Sequence, residues 1–189
     1  MTRSVVGVLG SPRHGKNTAV LVEKVLEGAR SQGLQTSLHY VNDYHIYPCD
    51  GCDACKETHR CIIEDDMHIF YNALEKSDGL VLGTPIYFDH VTAQTKTFLD
   101  RLYCYLGPNL ESSFPAEYRA VIVVTYGDSN EAWYEEVVEW LRDRLWGYWR
   151  IETVAAVKVA NADNAPPSGR PELLERAYEA GVKLAESIG

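Results

Sequence analysis

Val5-Val6-Gly7-Val8-Leu9-Gly10-Ser11-Pro12-Arg13-His14-Gly15-Lys16-Asn17-Thr18 sets the organisation of the whole chain. Its first part is an unbroken apolar run of strand length, and its second is a turn rich in glycine, hydroxyls and bases. From Asn17 onward Leu21, Val22, Val25, Leu26 and Ala29 recur at the spacing of one helical face, and Gly33 supplies the stop. A buried strand passing through such a loop into an amphipathic helix begins a parallel crossover unit. The loop carries no acid, in a chain of 189 residues whose formal net charge is −9. Free amides at the helix start, a partial positive charge and the adjacent Arg13 and Lys16 suit it to a phosphate. The plainer reading is an ordinary capped loop with Asn17 or Thr18 as the cap.

The same alternation repeats along the chain. Residues 36–41, 79–83, 120–125 and 154–159 read as further strands, the later ones continuously apolar. Residues 66–76, 92–106, 131–146 and 172–188 read as helices, and 161–171 as a loop rich in Pro, Asn and Gly. Five strands alternating with five helices predict an α/β fold of parallel strands joined by right-handed crossovers, with helices on both faces. The expected architecture is a flavodoxin-like three-layer sandwich, five strands in the order 2-1-3-4-5, formed by residues 1–189 as a single domain. In that fold ligands bind beyond the carboxyl ends of the strands, where the strand order reverses. Three loops are thereby nominated: those after Gly10, Gly83 and Thr125.

The second of these, Thr84-Pro85-Ile86-Tyr87-Phe88-Asp89-His90, offers a rigid apolar and aromatic wall for a flat ring; covering the sheet end is its plainer role. In the third, Thr125-Tyr126-Gly127-Asp128-Ser129-Asn130, Gly127 permits close approach of a ligand, while Asp128 or Ser129 is placed to cap the next helix. A phosphate loop, an aromatic wall and a close-approach glycine together describe a mononucleotide with a planar head, and FMN fits better than ATP. The rival is a P-loop nucleotide-binding protein, because Gly10-x4-Gly15-Lys16 nearly matches a Walker A motif. That motif needs Ser or Thr directly after Lys for magnesium, and here Asn17 stands there; Pro12 also removes an amide from the cradle.

Four of the five cysteines form Cys49-x2-Cys52-x2-Cys55-x5-Cys61, inside a loop spanning about 43–66. Four thiolates so close together suit an iron–sulfur cluster, a zinc site that can also recruit His45 or His59, or disulfides in a metal-free loop. Cys104 falls in a helical pattern and reads as a small core residue. Among the aromatics of 133–149, Trp133, Val137, Trp140, Leu141 and Leu145 share roughly one helical face, which implies core packing; an oligomer surface is the sharper alternative. The negative charge argues against nucleic acid and anionic membranes, and no apolar run reaches the ~20 residues of a membrane span. With no signal-like segment and clustered thiols, a cytoplasmic location is expected.

Gly10-Ser11-Pro12-Arg13…Asn17-Thr18, then Asp78-Gly79…Gly83-Thr84-Pro85-Ile86-Tyr87-Phe88…Val91-Thr92-Ala93…Lys96…Leu99-Asp100-Arg101, resembles the NADPH-dependent FMN reductase family over nearly the whole chain. The cysteine loop further resembles its iron–sulfur flavoprotein branch, in which such a motif binds a four-iron cluster beside FMN in a dimer-based oligomer. By resemblance Ser11, Arg13, Asn17 and Thr18 hold the FMN phosphate. Lys16, standing where the family has Gly, either contacts phosphate or points outward. Pro85, Ile86, Tyr87 and Phe88 face the isoalloxazine with Gly127 nearby, and Cys49, Cys52, Cys55 and Cys61 ligate a 4Fe-4S cluster. Asp89 and His90 stand where the family often has small residues. The implied activity is an FMN-dependent oxidoreductase moving electrons from NAD(P)H or ferredoxin to a small quinone-like or flavin acceptor, as a homodimer or homotetramer. The alternative is a cluster-free NAD(P)H:quinone or flavin reductase. The flavin carries the chemistry, so no catalytic side chain is expected, and the cysteine loop is expected close to the edge of the flavin site.

Overall fold

Each apolar run becomes a strand in the computed structural model, which describes residues 3–189. The strands are β1 (Ser4–Leu9), β2 (Gln35–Tyr40), β3 (Gly79–Tyr87), β4 (His90–Val91), β5 (Arg119–Thr125) and β6 (Glu152–Val159). The helices are α1 (Asn17–Ser31), α2 (Cys55–Thr58), α3 (Met67–Glu75), α4 (Ala93–Arg101), α5 (Glu135–Trp149) and α6 (Pro171–Ile188). The five long strands are parallel in the order β2-β1-β3-β5-β6. This is the expected flavodoxin-like order once β4, a two-residue strand antiparallel to the end of β3, is set aside.

The continuous apolar strands serve two cores at once, because successive side chains point to opposite faces. Along β5, Ala120, Ile122 and Val124 pack with α3, α4 and α5, while Val121 and Val123 pack with α1 and α6. The α1–α6 contact is made at backbone distance. A Cβ on Gly28 would lie 2.1 Å from the Tyr178 carbonyl oxygen, and one on Gly181 would lie 1.9 Å from that of Val25.

Several boundaries depart from the sequence expectation. The sheet has a sixth strand because β3 does not stop at Gly83 but continues through Pro85 to Tyr87. Pro85 sits opposite Thr125 of β5, near the strand end where a missing amide is tolerated. The chain then reverses through Phe88 and Asp89, both at positive φ (47° and 64°), into β4. Two positive φ values mark a type I′ hairpin turn. The helix expected over 92–106 divides into α4 and a 3-10 segment, Leu102–Tyr105. The fourth long helix starts at Glu135 rather than 131, after Tyr134 at φ 62°. One turn, α2, forms inside the cysteine loop. Of the aromatic run, Trp149 is buried with its indole N–H donating to the Leu102 carbonyl (3.0 Å), whereas Trp133 and Trp146 are exposed.

Candidate functional site

The carboxyl ends of β1, β3 and β5 surround an open cleft of about 140 Å³. It lies between β1 and β3, where the strand order reverses. At its floor α1 begins without a side-chain cap: Lys16 occupies the cap position in extended conformation and makes no capping bond. Neither Asn17 nor Thr18 serves as cap. Asn17 donates its side-chain N–H to the Ala162 carbonyl (2.7 Å), and the Thr18 hydroxyl pairs with that of Thr125 (2.7 Å). The first amides of α1 therefore remain free for an anion, as at any uncapped helix start. The Ser11 hydroxyl is buried and accepts the Arg13 N–H (3.2 Å), which tightens the turn.

A buried hydroxyl network fixes this loop to the aromatic wall. Thr92 donates its hydroxyl to the Gly10 carbonyl (2.7 Å) and, its one proton spent, accepts both the Thr95 amide (3.2 Å) and the Thr95 hydroxyl (2.9 Å). The Thr92 amide in turn donates to the Thr84 hydroxyl (3.3 Å) on β3. Gly10 leaves room for this arrangement, since a Cβ there would lie 1.8 Å from the Thr95 hydroxyl. On the outer side His14 stacks on Tyr40 (4.1 Å) and meets Asp43 (2.8 Å).

Nine of the ten residues expected to hold FMN line the cleft: Ser11, Arg13, Lys16, Asn17, Thr18, Pro85, Ile86, Tyr87 and Gly127. Phe88 does not; as the first central residue of the hairpin turn it stands fully in solvent. Thr125, Tyr126, Ala162 and Asp163 also line the cleft and were not singled out from the sequence. Thr125 and Tyr126 were within reach, being part of the third nominated loop. Ala162 and Asp163 arrive through the topology, in the turn after β6. Asp163 faces Arg13 at 3.9 Å and introduces an acid beside the basic loop. Asp89 accepts the Tyr134 hydroxyl (2.8 Å), which pushes the Tyr134 phenol upward; His90 packs edge-on against Trp140 (4.7 Å).

The cysteine loop forms a separate hollow lined by Cys49, Cys52, Cys55 and Cys61 together with Arg101 and Cys104. All five thiols are free. The hollow shares no lining residue with the cleft. Cys104 is buried, as expected, yet faces the other four cysteines. Burial, reinforced by Cys61 and Cys49, raises the Cys55 thiol, and burial pushes Cys104 up to about 11. Among the described residues no three His, Cys, Asp or Glu side chains gather closely enough to hold a metal ion.

The loop is closed at its base by a fully buried ion pair. Arg101 donates from Nη1 to the Tyr47 carbonyl (2.7 Å) and to Asp65, and from Nη2 to the other Asp65 oxygen (3.1 Å). Asp65 also accepts the amides of Tyr47 (2.9 Å) and Met67 (3.0 Å). Burial alone would raise the Asp65 carboxyl, but Arg101 and these amides outweigh it and hold it below the ordinary carboxylate range. Lys56 of α2 lies 3.7 Å over the Tyr103 ring and donates to the Leu106 and Gly107 carbonyls, pinning the loop's helical turn. The donor set fits a cluster in two respects: four thiols surround one hollow, and the Arg101 Nε–H beside them is buried without an acceptor.

Comparison with known proteins bears on both sites. The sequence profile of the family described as "NADPH-dependent FMN reductase" matches residues 3–164. An iron-sulfur flavoprotein of Archaeoglobus fulgidus is 30% identical over 183 residues, covering 97% of this chain and 79% of that protein. One from Methanocaldococcus jannaschii is 39% identical over 97 residues, covering 51% of this chain; the match spans half the length of that relative. Among solved structures, NAD(P)H:quinone oxidoreductase from Methanothermobacter marburgensis superposes with a TM-score of 0.75 at 17% identity, covering 97% of this chain and 98% of that one. A flavone reductase superposes at 0.73 and 17% identity, covering 98% and 62%. At such identity the structural likeness speaks for the fold, while the profile and the A. fulgidus relative speak for descent. The chain belongs to the NADPH-dependent FMN reductase family, FMN-dependent oxidoreductases of flavodoxin-like fold, and to its iron–sulfur flavoprotein branch.

Proposed function

We propose that this protein moves electrons between a reduced donor, NAD(P)H or ferredoxin, and a small quinone-like or flavin acceptor, using FMN in the cleft and a 4Fe-4S cluster on Cys49, Cys52, Cys55 and Cys61. The observation that carries the flavin site is the meeting of an uncapped helix start, basic loop and Pro85–Tyr87 wall in one cleft at the strand-order reversal. FMN supplies hydride and single-electron chemistry when bound. Ser11, Arg13, Lys16, Asn17 and Thr18 would hold its phosphate through hydroxyls, the free amides of α1 and two positive charges. Pro85, Ile86 and Tyr87 would set the plane of the ring, with Gly127 leaving room on the opposite side. Asp163 would compete with the phosphate for Arg13 and so tune how tightly it is held. No side chain of the cleft is required to take up or release a proton.

The four free thiols around one hollow, with a buried cation among them, support the cluster. The cluster-free NAD(P)H:quinone or flavin reductase is favoured by one observation, that no three potential ligands converge among the described residues. Family membership sets the P-loop nucleotide-binding reading aside. A homodimer or homotetramer accords with the exposed Trp133 and Trp146, and a cytoplasmic location with the free cysteines. No described helix is long and apolar enough to cross a membrane. Anaerobic purification followed by a visible spectrum with iron and sulfide assays tests the proposal. Flavin with stoichiometric iron and sulfide supports the two-centre form, flavin alone supports the reductase, and a protein that takes up no flavin overturns both.

A further inference from the structure

Arg101 has one donor more than its ion pair uses. Its side chain is fully buried, its two Nη atoms serve Tyr47 and Asp65, and its Nε–H has no acceptor. An N–H of a permanently charged group left without an acceptor in the interior is costly, because it has lost its water and gained no partner. Such a buried donor is suited to an acceptor other than those the ion pair supplies. Arg101 lines the cysteine hollow and, among the described residues, is the only basic one that does so. Of the acids there, Asp53 accepts the Tyr103 hydroxyl (3.2 Å) and Asp50 accepts the Cys52 amide (3.2 Å), and neither carboxylate bonds Nε. The four cysteine sulfurs around the same hollow, and whatever anion they enclose, are acceptors of the required kind.

We propose that Arg101 is the positioning residue of the cysteine site, its Nε–H donating to a sulfur of the thiolates or cluster that the four cysteines hold. The role rests on the cluster reading above. Asp65 and the Tyr47 carbonyl hold the guanidinium in one orientation at the hollow, so the donor is fixed in place before any acceptor arrives. A hydrogen bond and a positive charge at the sulfurs stabilise the electron-rich state of a cluster, and Arg101 thereby raises its reduction potential. Because the carboxylate partner already neutralises much of the charge, the hydrogen bond carries most of the effect.

The test begins with wild-type protein carrying 15N only at arginine Nε, its cluster reconstituted anaerobically with iron and sulfide and reduced by one electron. Pulsed EPR of the reduced cluster is expected to show a 15N coupling that survives Arg60→Ala, the exposed arginine of the loop, and disappears in Arg101→Lys. Lysine keeps the cation but has no Nε–H. In Arg101→Lys the ratio of reduced to oxidised cluster at a fixed potential is expected to fall about tenfold, ~59 mV for a one-electron couple. Flavin content and melting midpoint separate this from a general loss of structure, and the labelled wild type decides the matter even where the variant does not fold. A reconstituted cluster with no arginine coupling overturns the proposal, as does a potential in folded Arg101→Lys equal to wild type. Failure to take up iron and sulfide overturns the cluster reading itself, and with it this role; the metal assay tells that failure from the other.

Discussion

Asp65→Ala removes the carboxylate that faces Arg101 and leaves the guanidinium buried with no counter-charge. Both side chains are essentially inaccessible, 0% for Arg101 and 1% for Asp65, so solvent cannot replace the lost partner. Breaking such a pair from one side costs about 3–5 kcal/mol. For a chain of this length that corresponds to a fall in melting temperature of about 6–20 °C, at roughly 2–4 °C per kcal/mol. Urea unfolding followed by tryptophan fluorescence measures it directly, with the slope unchanged and the midpoint lowered. Replacing both partners, Asp65→Leu with Arg101→Met, is expected to recover much of the loss, because two apolar groups leave no uncompensated charge. The same pair has a pH signature. The folded-state carboxyl lies below its unfolded value of about 3.9, so its contribution is complete above that value and is lost as pH falls through the lower folded one. Wild type is therefore expected to lose stability below about pH 4 more steeply than Asp65→Ala. A loss under ~1 kcal/mol for the single substitution, with no difference in acid response, would refute the assignment of this pair as the closure of the cysteine loop.

Three other outcomes follow from the packing. Gly127→Ala places a Cβ 2.7 Å from the exposed, movable Asp163 carboxylate, so the flavin-free protein should melt within ~0.5 kcal/mol of wild type while FMN affinity falls at least about tenfold by fluorescence titration; unchanged affinity would remove Gly127 from the site. Phe88→Asn relieves a bulky residue at φ 47° and should stabilise the protein by about 1 kcal/mol in thermal unfolding. A destabilised variant would mean that the phenyl ring has a partner. Gly181→Ala drives a methyl into the Val25 carbonyl and should cost about 1–3 kcal/mol or more, whereas Gly147→Ala, with open space at its Cβ, should not destabilise.

The parallel sheet was legible because runs such as Val121-Ile122-Val123-Val124 are apolar at every position, which only burial on both faces requires. The α1 boundaries and the basic loop before them were legible for a related reason, the change of periodicity at Asn17. The hairpin was hidden by its chemistry. Pro85 reads as a strand stop, and Phe-Asp lacks the Asn-Gly signature of a type I′ turn, so the ring wall was placed in a loop and Phe88 inside the cleft. Ala162 and Asp163 carry no local signal, and only the return of the chain after β6 brings them to α1. Arg101 was visible as part of a Leu-Asp-Arg motif, yet its partner Asp65 lies 36 residues earlier, beyond any local pattern. The short spacing of the cysteines predicted that they would share a space; it gave no reason to expect Cys104 there.

The bond from the Asn17 side chain to the Ala162 carbonyl ties the start of the first helix to a turn 145 residues downstream, and the backbone contact of α1 with α6 reaches further still. During synthesis β1 and its loop must wait, with the apolar face of α1 uncovered, until α6 has left the ribosome. The cleft thus matures only after that helix is made, and nascent chains halted before residue 162 should expose that face to chaperones and fail to retain flavin.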